Sequence, residues 1–194
     1  MQYGKFIDAT DILSFQLRFL SKATTDDERH YFMKYIHIEP SDKGEGLLGV
    51  TTDGARLHLV DPINDAAVKV FGLSQGYWQV FKGGGSNRLW IARLEDSETN
   101  GFQFANWRRI MPSGEPEYKT TFSGFSFKKT GFYTGYPNLA KFLHEFPKAT
   151  ALNLGFIQDL GTGFDWHVDW YGPNKPLKFT EGDRVTVIMP MTID

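Results

Sequence analysis

The sequence LLGVTTDGARLHLV, residues 47–60, decides the fold of this chain. Residues 47–52 and 55–60 are rich in branched apolar side chains, and the Asp53-Gly54 pair between them is typical of hairpin turns. The segment therefore predicts two antiparallel strands joined by a tight turn. Further along the chain, similar aromatic and branched patterns predict strands at 31–39, 66–71, 77–82, 88–94, 118–135 (a hairpin), 151–157, 164–171 and 184–191.

Two segments have the 3.6-residue periodicity of amphipathic helices. The first covers residues 9–23, where apolar side chains form one stripe and polar side chains occupy the opposite face. The second begins near Pro137, which suits a first helical turn, and stops at Pro147, which cannot continue a helix. Few helices among many strands predict an α+β protein dominated by antiparallel sheet.

Composition excludes several classes of protein. The 194 residues carry 21 basic and 23 acidic side chains, a net charge of 21 − 23 = −2, unlike a basic nucleic-acid tail or a disordered acidic chain. Without cysteine there is no disulfide framework, thiolate nucleophile or thiolate metal site. The N-terminus leads into no apolar signal segment, and no stretch is long enough to span a bilayer. We therefore expect a soluble, cytoplasmic protein that does not associate with membranes.

A run of turn-forming residues, Pro-Ser-Gly-Glu-Pro at 112–116, predicts a domain boundary. Each side of this run contains one predicted helix and several predicted strands. We therefore expect two lobes, at residues 1–112 and 113–194. The second lobe loosely resembles the first in its predicted elements, without the sequence identity of a repeat.

The motifs typical of enzymes and metal sites are incomplete. His167-Val168-Asp169 has the spacing of a facial iron triad, but His167 is the last histidine of the chain and no second histidine follows. The glycine-rich stretch at residues 82–87 lacks the Gly-Lys-Ser/Thr ending of a phosphate loop. No Gly-x-Ser-x-Gly elbow is present. We therefore predict no catalytic activity, no metal and no cofactor.

An aromatic group near the C-terminus keeps a second function open. Phe164, Trp166, Trp170 and Tyr171 lie among acidic residues, a combination that binds sugars or stacks on nucleotide bases. The alternative is that these rings alternate into the core of a sheet. A β-rich carbohydrate- or nucleotide-binding domain is therefore one hypothesis for the chain.

Three separated strings point to another function. They are TTDGARL at residues 51–57, FANWRRIMP at 104–112 and VIMPM at 187–191. In this order they resemble the bacterial sliding clamp, the beta subunit of DNA polymerase III, whose family carries A-T-D-G-H-R-L, F-P-D-[YF]-R-R-V-[LI]-P and V-[VI]-M-P-M. The resemblance covers roughly residues 5–60, 100–112 and 120–194. Ala55 and Ala105 depart from the usual His and Pro of the family.

The resemblance implies a DNA-clamp-like fold with two lobes of antiparallel sheet, each with a helix on the inner face. It also implies a non-catalytic replication and processivity factor. In the family, the three strings line a hydrophobic pocket between domains that receives a short peptide of DNA polymerases, clamp loaders and repair proteins. Carried over to this chain, the pocket residues are Phe32, Thr52, Gly54, Ala55, Arg56, Leu57, Ala105, Arg109, Ile110, Val187, Ile188, Met189, Pro190 and Met191. The alternative is that the strings only pack the two lobes together.

The resemblance also implies contact with duplex DNA. Sliding clamps are three-domain dimeric rings whose inner helices present cations to phosphates without reading bases. This chain has no counterpart of the first domain and a shortened last lobe, so a trimer, an open assembly and a monomer all stay open. The corresponding cations here are Arg18, Lys22, Lys141 and Lys148. A clamp relative that binds only protein partners is a third hypothesis.

Overall fold

The structure is a computed structural model that describes residues 7–8, 14–26, 28–82, 89–123, 126–127, 133–134, 144, 151–161 and 163–191. The chain divides into two compact units, Met1–Trp107 (unit 1) and Arg108–Asp194 (unit 2). The sequence-based boundary at residue 112 stays a prediction. All described strand pairs are antiparallel, which confirms the α+β class.

Unit 1 contains a six-stranded antiparallel sheet. In sheet order, its strands are β1 (Ile7–Asp8), β6 (Leu89–Arg93), β5 (Gly76–Lys82), β2 (Ile36–Pro40), β3 (Leu47–Thr52) and β4 (Arg56–Val60). Two helices, α1 (Phe15–Ser21) and α2 (Asp65–Phe71), and a 3₁₀ segment (Glu28–Lys34) complete the described part. The hairpin predicted from residues 47–60 is therefore present as β3 and β4.

Helix α1 packs on the β3–β4 side of this sheet. Leu17, Phe19 and Leu20 are its buried residues; Leu17 and Leu20 belong to the apolar stripe expected for this segment, and Phe19 lies outside that stripe. Gly49 in β3 makes the close approach possible. A Cβ atom at this position would lie only 2.6 Å from Cδ1 of Leu20 and 3.3 Å from Cδ1 of Ile63.

Three predicted strands are wrong in whole or in part. Residues 66–71 form helix α2, because the Asn64 side chain accepts hydrogen bonds from two backbone N–H groups of the first turn and Gly72 ends the helix at φ 63°. Residues 154–158 form helix α3 (Leu154–Gln158), which Asn153 caps in the same way. In both cases the capping residues outweigh the β-propensity of the residues between them. Residues 31–34 belong to the 3₁₀ segment, so β2 begins at Ile36.

Unit 2 contains a four-stranded antiparallel sheet and a short hairpin. In sheet order, the four strands are β12 (Arg184–Ile188), β11 (Leu177–Glu181), β10 (Asp165–Trp170) and β7 (Tyr118–Ser123). Strands β8 (Ser126–Phe127) and β9 (Tyr133–Thr134) form the hairpin, which lies inside the predicted hairpin region 118–135. Strand β11 was not predicted, although Leu177 and Phe179 alternate as in a half-buried strand.

The core of unit 2 is built on aromatic rings. Trp166, Phe122 and Phe179 are among the largest fully buried side chains. The guanidinium carbon of Arg184 lies 4.0 Å from the ring centroid of Phe164 and 5.0 Å from that of Trp166. This buried cation therefore sits on ring faces and also pairs with a carboxylate, Glu181, on the neighbouring strand.

Two predicted features fall largely or wholly outside the described residues. The second helix, predicted between Pro137 and Pro147, is described only at His144, and the glycine-rich loop at residues 83–85 is not described. Among the residues that are described, no helix is long and apolar enough to cross a membrane.

His58 is a buried histidine that joins β4 to α1. Its Nδ1 lies 2.8 Å from the backbone oxygen of Phe19, and its ring stacks on the Phe19 ring at a centroid distance of 4.4 Å. Because a carbonyl oxygen only accepts, Nδ1 carries the proton of the neutral ring. Burial lowers the pKa of His58 from 6.5 to about 3, although the hydrogen bond to Phe19 acts in the opposite direction.

This lowered pKa predicts a stability that depends on pH. The unfolded chain protonates His58 near pH 6.5 and the folded chain only near pH 3, so the free energy of unfolding should fall as pH drops between these values. One such group contributes about 1.4 kcal/mol per pH unit. We expect urea unfolding at pH 6.5 and pH 5 to show a loss of about 2 kcal/mol from this residue.

The matched variants separate this residue from other titrating groups. His58→Gln should reduce the difference between the two pH values, whereas the exposed His167→Gln should preserve it. An equal pH dependence in wild type and His58→Gln would contradict the prediction.

Candidate functional site

The turn between β3 and β4 is closed by the side chains of its own motif. Oδ1 of Asp53 accepts the backbone N–H groups of Ala55 and Arg56, both at 3.0 Å. The Thr52 hydroxyl donates to the backbone oxygen of Arg56 at 2.7 Å and accepts the N–H of Gly54 at 3.1 Å. Gly54 has φ 88°, a conformation that favours glycine. The string TTDGAR therefore specifies this turn.

Arg56 connects the turn to the end of α1. Its Nε donates to Oδ2 of Asp53 at 3.0 Å, and its Nη2 donates to the backbone oxygen of Lys22. The side chain is only 9% exposed. These contacts give Arg56 a structural role that the sequence did not predict, and its contact with a partner peptide stays a prediction.

Two further hairpin side chains bind the same end of α1. Thr51 Oγ1 donates to the backbone oxygen of Leu20 at 2.7 Å, and His58 binds that of Phe19. The backbone N–H groups of Lys22 and Ala23 also donate to these two oxygens, at 3.2 and 3.1 Å. The β3–β4 hairpin therefore adds a second donor to each and, through Arg56, a donor to the oxygen of Lys22.

The remaining predicted pocket residues of unit 1 differ in accessibility. Leu57 and Thr52 are buried in the sheet, Gly54 is exposed, and Phe32, Ala55 and Ala105 are half-buried. The turn lies near the 3₁₀ segment, because a Cβ atom on Gly54 would be 3.8 Å from Cε of Met33. Phe32 and the turn thus belong to neighbouring parts of unit 1.

Phe32 belongs to a cluster of rings that the sequence did not reveal. We call it the ring cluster, and it consists of Tyr31, Phe32, Tyr35, His37, Tyr77, Phe102 and Phe104. Tyr31 and Phe102 have the shortest centroid distance, 4.8 Å, and His37 stacks on Tyr77 at 4.9 Å. Aromatic residues spread over distant segments carry no periodic signal, so only the fold brings these rings together.

Glu39 places a carboxylate beside the ring cluster. Its Oε1 accepts a hydrogen bond from Nε1 of Trp107 at 2.9 Å, and its Oε2 lies 3.9 Å from Nδ1 of His37. Burial raises the pKa of Tyr77, and the nearby Tyr31 and Glu39 act in the same direction, although a hydrogen bond with the backbone of Phe104 acts against it.

The VIMPM string of unit 2 changes from buried to exposed along its length. Val187 and Ile188 end strand β12 and are completely buried. Met189 and Met191 are 38% and 48% exposed, and Pro190 between them is half-buried. The backbone N–H of Met191 donates to the oxygen of Ala151 at 2.9 Å, which holds the exposed end of the string.

Other side chains of unit 2 extend this description. Arg109 is exposed and Ile110 is half-buried, and their contact with a partner peptide stays a prediction. Leu154, at the start of α3, is an apolar side chain that is 39% exposed.

The predicted DNA-facing cations are described only in part. Lys22 is exposed at the end of α1, and Arg18 is half-buried with its Nε donating to the Ser14 hydroxyl at 2.8 Å. Lys141 and Lys148 lie outside the described residues. The described portion of unit 1 therefore offers Lys22 as the more accessible of its two predicted cations.

Three of the four rings of the aromatic group proposed as an alternative site are buried, and the fourth, Phe164, is half-buried. Trp166 is 0% exposed, and Trp170 and Tyr171 are each 7% exposed, so these rings fill the core of unit 2. His167 is exposed on β10, and the described residues contain no group of three histidine or carboxylate side chains able to hold a metal ion. Burial of the rings argues against a sugar or nucleotide stacking on them.

The comparisons with known proteins rest on structure. No protein-family model and no curated protein match the sequence. Solved sliding clamps match its structure. One is the DNA polymerase III subunit beta from Borrelia burgdorferi in complex with a natural product, with a TM-score of 0.56 and 14% sequence identity. The matched region covers 99% of this chain and 65% of that clamp chain. The Bacillus subtilis DNA polymerase sliding clamp has a TM-score of 0.57 at 12% identity, and the match covers 100% of this chain and 66% of that clamp chain. The H. pylori beta clamp in complex with diflunisal has a TM-score of 0.55 at 13% identity, and the match covers 95% of this chain and 65% of that clamp chain.

These matches confirm the sliding-clamp fold predicted from the three strings. At 12–14% identity they concern the fold alone. The chain spans about two thirds of the length of the solved clamps that it matches.

The contacts of Arg56 predict a measurable loss of stability. Arg56→Ala removes hydrogen bonds both to Asp53 and to the backbone of Lys22, so we expect the free energy of unfolding to fall by about 2 kcal/mol. Chemical denaturation followed by circular dichroism measures this change. Lys69→Ala, at an exposed position in α2, is the control and should change the unfolding free energy by less than about 0.5 kcal/mol. Equal stability of Arg56→Ala and wild type would show that the contacts are not stabilising.

Proposed function

We propose that this chain is a non-catalytic, clamp-like accessory protein of DNA replication that binds short peptides of partners such as a DNA polymerase. The observation that carries the proposal is the exposure of Met189 and Met191 at the end of a buried strand in a chain with the sliding-clamp fold. The fold links the chain to sliding clamps of replication. The two methionines add an accessible apolar surface on which a peptide could bind.

Methionine suits a surface that accepts several partners. Its side chain is unbranched and polarizable, so it adapts to differently shaped leucine and phenylalanine anchors. Each buried anchor of this kind contributes roughly 1.5–3 kcal/mol. Two anchors, less the cost of ordering the peptide, correspond to micromolar affinity.

Known clamps of this fold support ligand binding as a general property. Two of the matching clamps were solved in complex with a natural product and with diflunisal. For this chain we propose a peptide ligand whose apolar anchors contact Met189 and Met191.

We further propose that several copies of the chain assemble around duplex DNA. The support for this part of the proposal is the shared sliding-clamp fold, and the chain spans about two thirds of the length of the matching clamps. Lys22 is the described cation proposed to face the phosphates. Native mass spectrometry at micromolar protein tests the assembly, and a strict monomer would exclude encirclement.

Peptide binding is tested by fluorescence anisotropy with a labelled peptide rich in Gln, Leu and Phe. We expect micromolar binding by wild type and a loss of at least about 10-fold in a Met189→Ala, Met191→Ala double variant, because two apolar contacts are removed. Val70→Ala removes a comparable exposed side chain, 60% accessible in α2, and should bind like wild type. No binding by wild type up to millimolar concentration, or an equal loss in Val70→Ala, would refute the peptide site.

DNA binding is tested by titrating a labelled duplex at several salt concentrations. We expect weak binding that declines steeply with salt, because a clamp-type interface neutralises phosphates. Lys22→Gln should flatten the slope of log K against log salt by about 0.9 for each phosphate that the substitution leaves without a cation. Lys69→Gln, on the exposed side of α2, should leave the slope unchanged. No binding at low salt would instead favour a clamp relative that binds only protein partners.

A further inference from the structure

Asn100 and Gly101 occupy the two central positions of a tight turn in unit 1. The backbone N–H of Phe102 donates to the oxygen of Thr99 at 2.9 Å, which closes a four-residue turn around the pair. Gly101 has φ 89°, whereas among the described non-glycine residues only Asn174 has a positive φ. This combination matches a type II turn, in which the N–H of the third residue takes no part in the closing hydrogen bond.

The turn leaves both residues of the pair accessible. Asn100 and Gly101 are exposed to solvent. Within the described part of the chain, neither the Asn100 side chain nor the Gly101 N–H makes a hydrogen bond. A Cβ atom built on Gly101 would meet no atom within 4 Å beyond its chain neighbours, so the space beside it is open. The Asn100 side chain can therefore rotate toward the nitrogen of the next residue.

Asn100 is the only asparagine of the chain that precedes a glycine. Glycine has no Cβ atom, so its backbone is flexible and its nitrogen is not shielded by a side chain. Two other exposed asparagines, Asn106 and Asn174, precede Trp107 and Lys175, whose side chains crowd the following nitrogen. Sequence and exposure together therefore distinguish one asparagine from the others.

The Asp53-Gly54 pair of the β3–β4 turn has the same spacing but is held by its neighbours. The Gly54 N–H donates to the Thr52 hydroxyl at 3.1 Å. Oδ1 of Asp53 accepts two backbone N–H groups, and Oδ2 accepts Nε of Arg56 at 3.0 Å. A carboxylate fixed in this way does not turn toward the following nitrogen. Asp53 is therefore an internal reference that should not react.

We propose that Asn100 is a site of spontaneous deamidation, with water as the only co-reactant. The backbone nitrogen of Gly101 bonds to the side-chain carbonyl carbon of Asn100. The bond from that carbon to the side-chain nitrogen breaks, and the NH₂ group leaves as ammonia with the proton that the Gly101 nitrogen has lost. The product is a five-membered succinimide ring.

Water then opens the ring at one of its two carbonyl groups by breaking the bond from that carbon to the ring nitrogen. Opening at the side-chain carbonyl gives aspartate, with a normal main chain and one additional negative charge. Opening at the main-chain carbonyl gives isoaspartate, in which the main chain runs through the former side chain. Position 100 therefore becomes acidic by either route.

Isoaspartate adds a methylene group to the main chain between Thr99 and Phe102. The turn hydrogen bond between these residues depends on the four-residue length, so the longer chain displaces the Phe102 ring. The centroid of that ring lies 4.8 Å from that of Tyr31 and 5.4 Å from that of Tyr77. The isoaspartate form therefore has a looser ring cluster, whereas the aspartate form keeps the turn length.

The test incubates the folded full-length chain and follows each asparagine over time by peptide mapping and mass spectrometry. We expect Asn100 to gain the mass difference between NH₂ and OH at least about 10-fold faster than Asn106 and Asn174, because glycine follows only Asn100. The rate should rise with pH, since the Gly101 nitrogen attacks after losing its proton. Asp53 should form no isoaspartate.

Two variants assign the reaction to this pair. Asn100→Gln should stop the conversion, because a glutamine side chain has to form a larger, six-membered ring. Gly101→Ala should slow the conversion by at least about 10-fold, because a Cβ atom shields the attacking nitrogen. Alanine is strained at φ 89°, so both variants are also compared with wild type in urea, where the turn plays no part.

Conversion of Asn100 in the urea-unfolded chain but not in the folded chain overturns the proposal, because the turn would then protect the residue. Equal rates at Asn100 and Asn106 overturn it as well. Neither outcome depends on peptide or DNA binding by the chain.

Hydrogen exchange tests the effect on the ring cluster. The Phe102 amide should exchange at least about 5-fold faster in the isoaspartate form than in freshly prepared Asn100→Asp, which carries the charge without the longer main chain. Equal exchange in the two forms would overturn the loosening of the cluster.

Discussion

The structure of unit 1 depends on the hydrogen bonds that the backbone oxygens at the C-terminal end of helix α1 accept from the β3–β4 hairpin. The oxygens of Phe19 and Leu20 accept hydrogen bonds from the backbone N–H groups of Lys22 and Ala23, and side chains of the β3–β4 hairpin supply a second donor to each. Here Thr51, Arg56 and His58 of one hairpin bind the backbone oxygens of residues 19, 20 and 22. The same hairpin turn also uses Arg56 to hold Asp53. A single set of side chains therefore fixes both the turn and the position of the helix end.

The parts of the fold that sequence patterns predicted are those in which local signals and packing agree. Residues 47–60 combine branched strand residues with a turn that Asp53 and Gly54 can close, and the structure contains that hairpin. The strands predicted at residues 66–71 and 151–157 were wrong because Asn64 and Asn153 cap helices there, and a cap is a single residue without periodicity. A pattern that averages over several residues misses such a cap.

The candidate site likewise has parts that the sequence predicted and parts that it did not. The VIMPM string predicted an apolar surface, and the structure separates its two halves: Val187 and Ile188 fill the core, and the two methionines are exposed. The string TTDGAR also builds the turn. Arg56 therefore has a structural role in the fold, whereas the resemblance implied only that it contacts a ligand. The ring cluster was beyond prediction, since Tyr31, Tyr77 and Phe102 lie far apart in the chain and meet only in the folded protein.

Gly49 has a consequence for how this protein can evolve. The space between its α-carbon and Leu20 admits a hydrogen atom and no methyl group, because a Cβ atom would lie 2.6 Å from that leucine. Substitution of either residue alone creates a clash or a cavity at the contact between helix and strand. Positions 20 and 49 should therefore change together in descendants of this sequence, a larger residue at 49 arising with a smaller one at 20. A covarying pair of this kind would mark the helix–strand contact in a family even where overall sequence identity has disappeared.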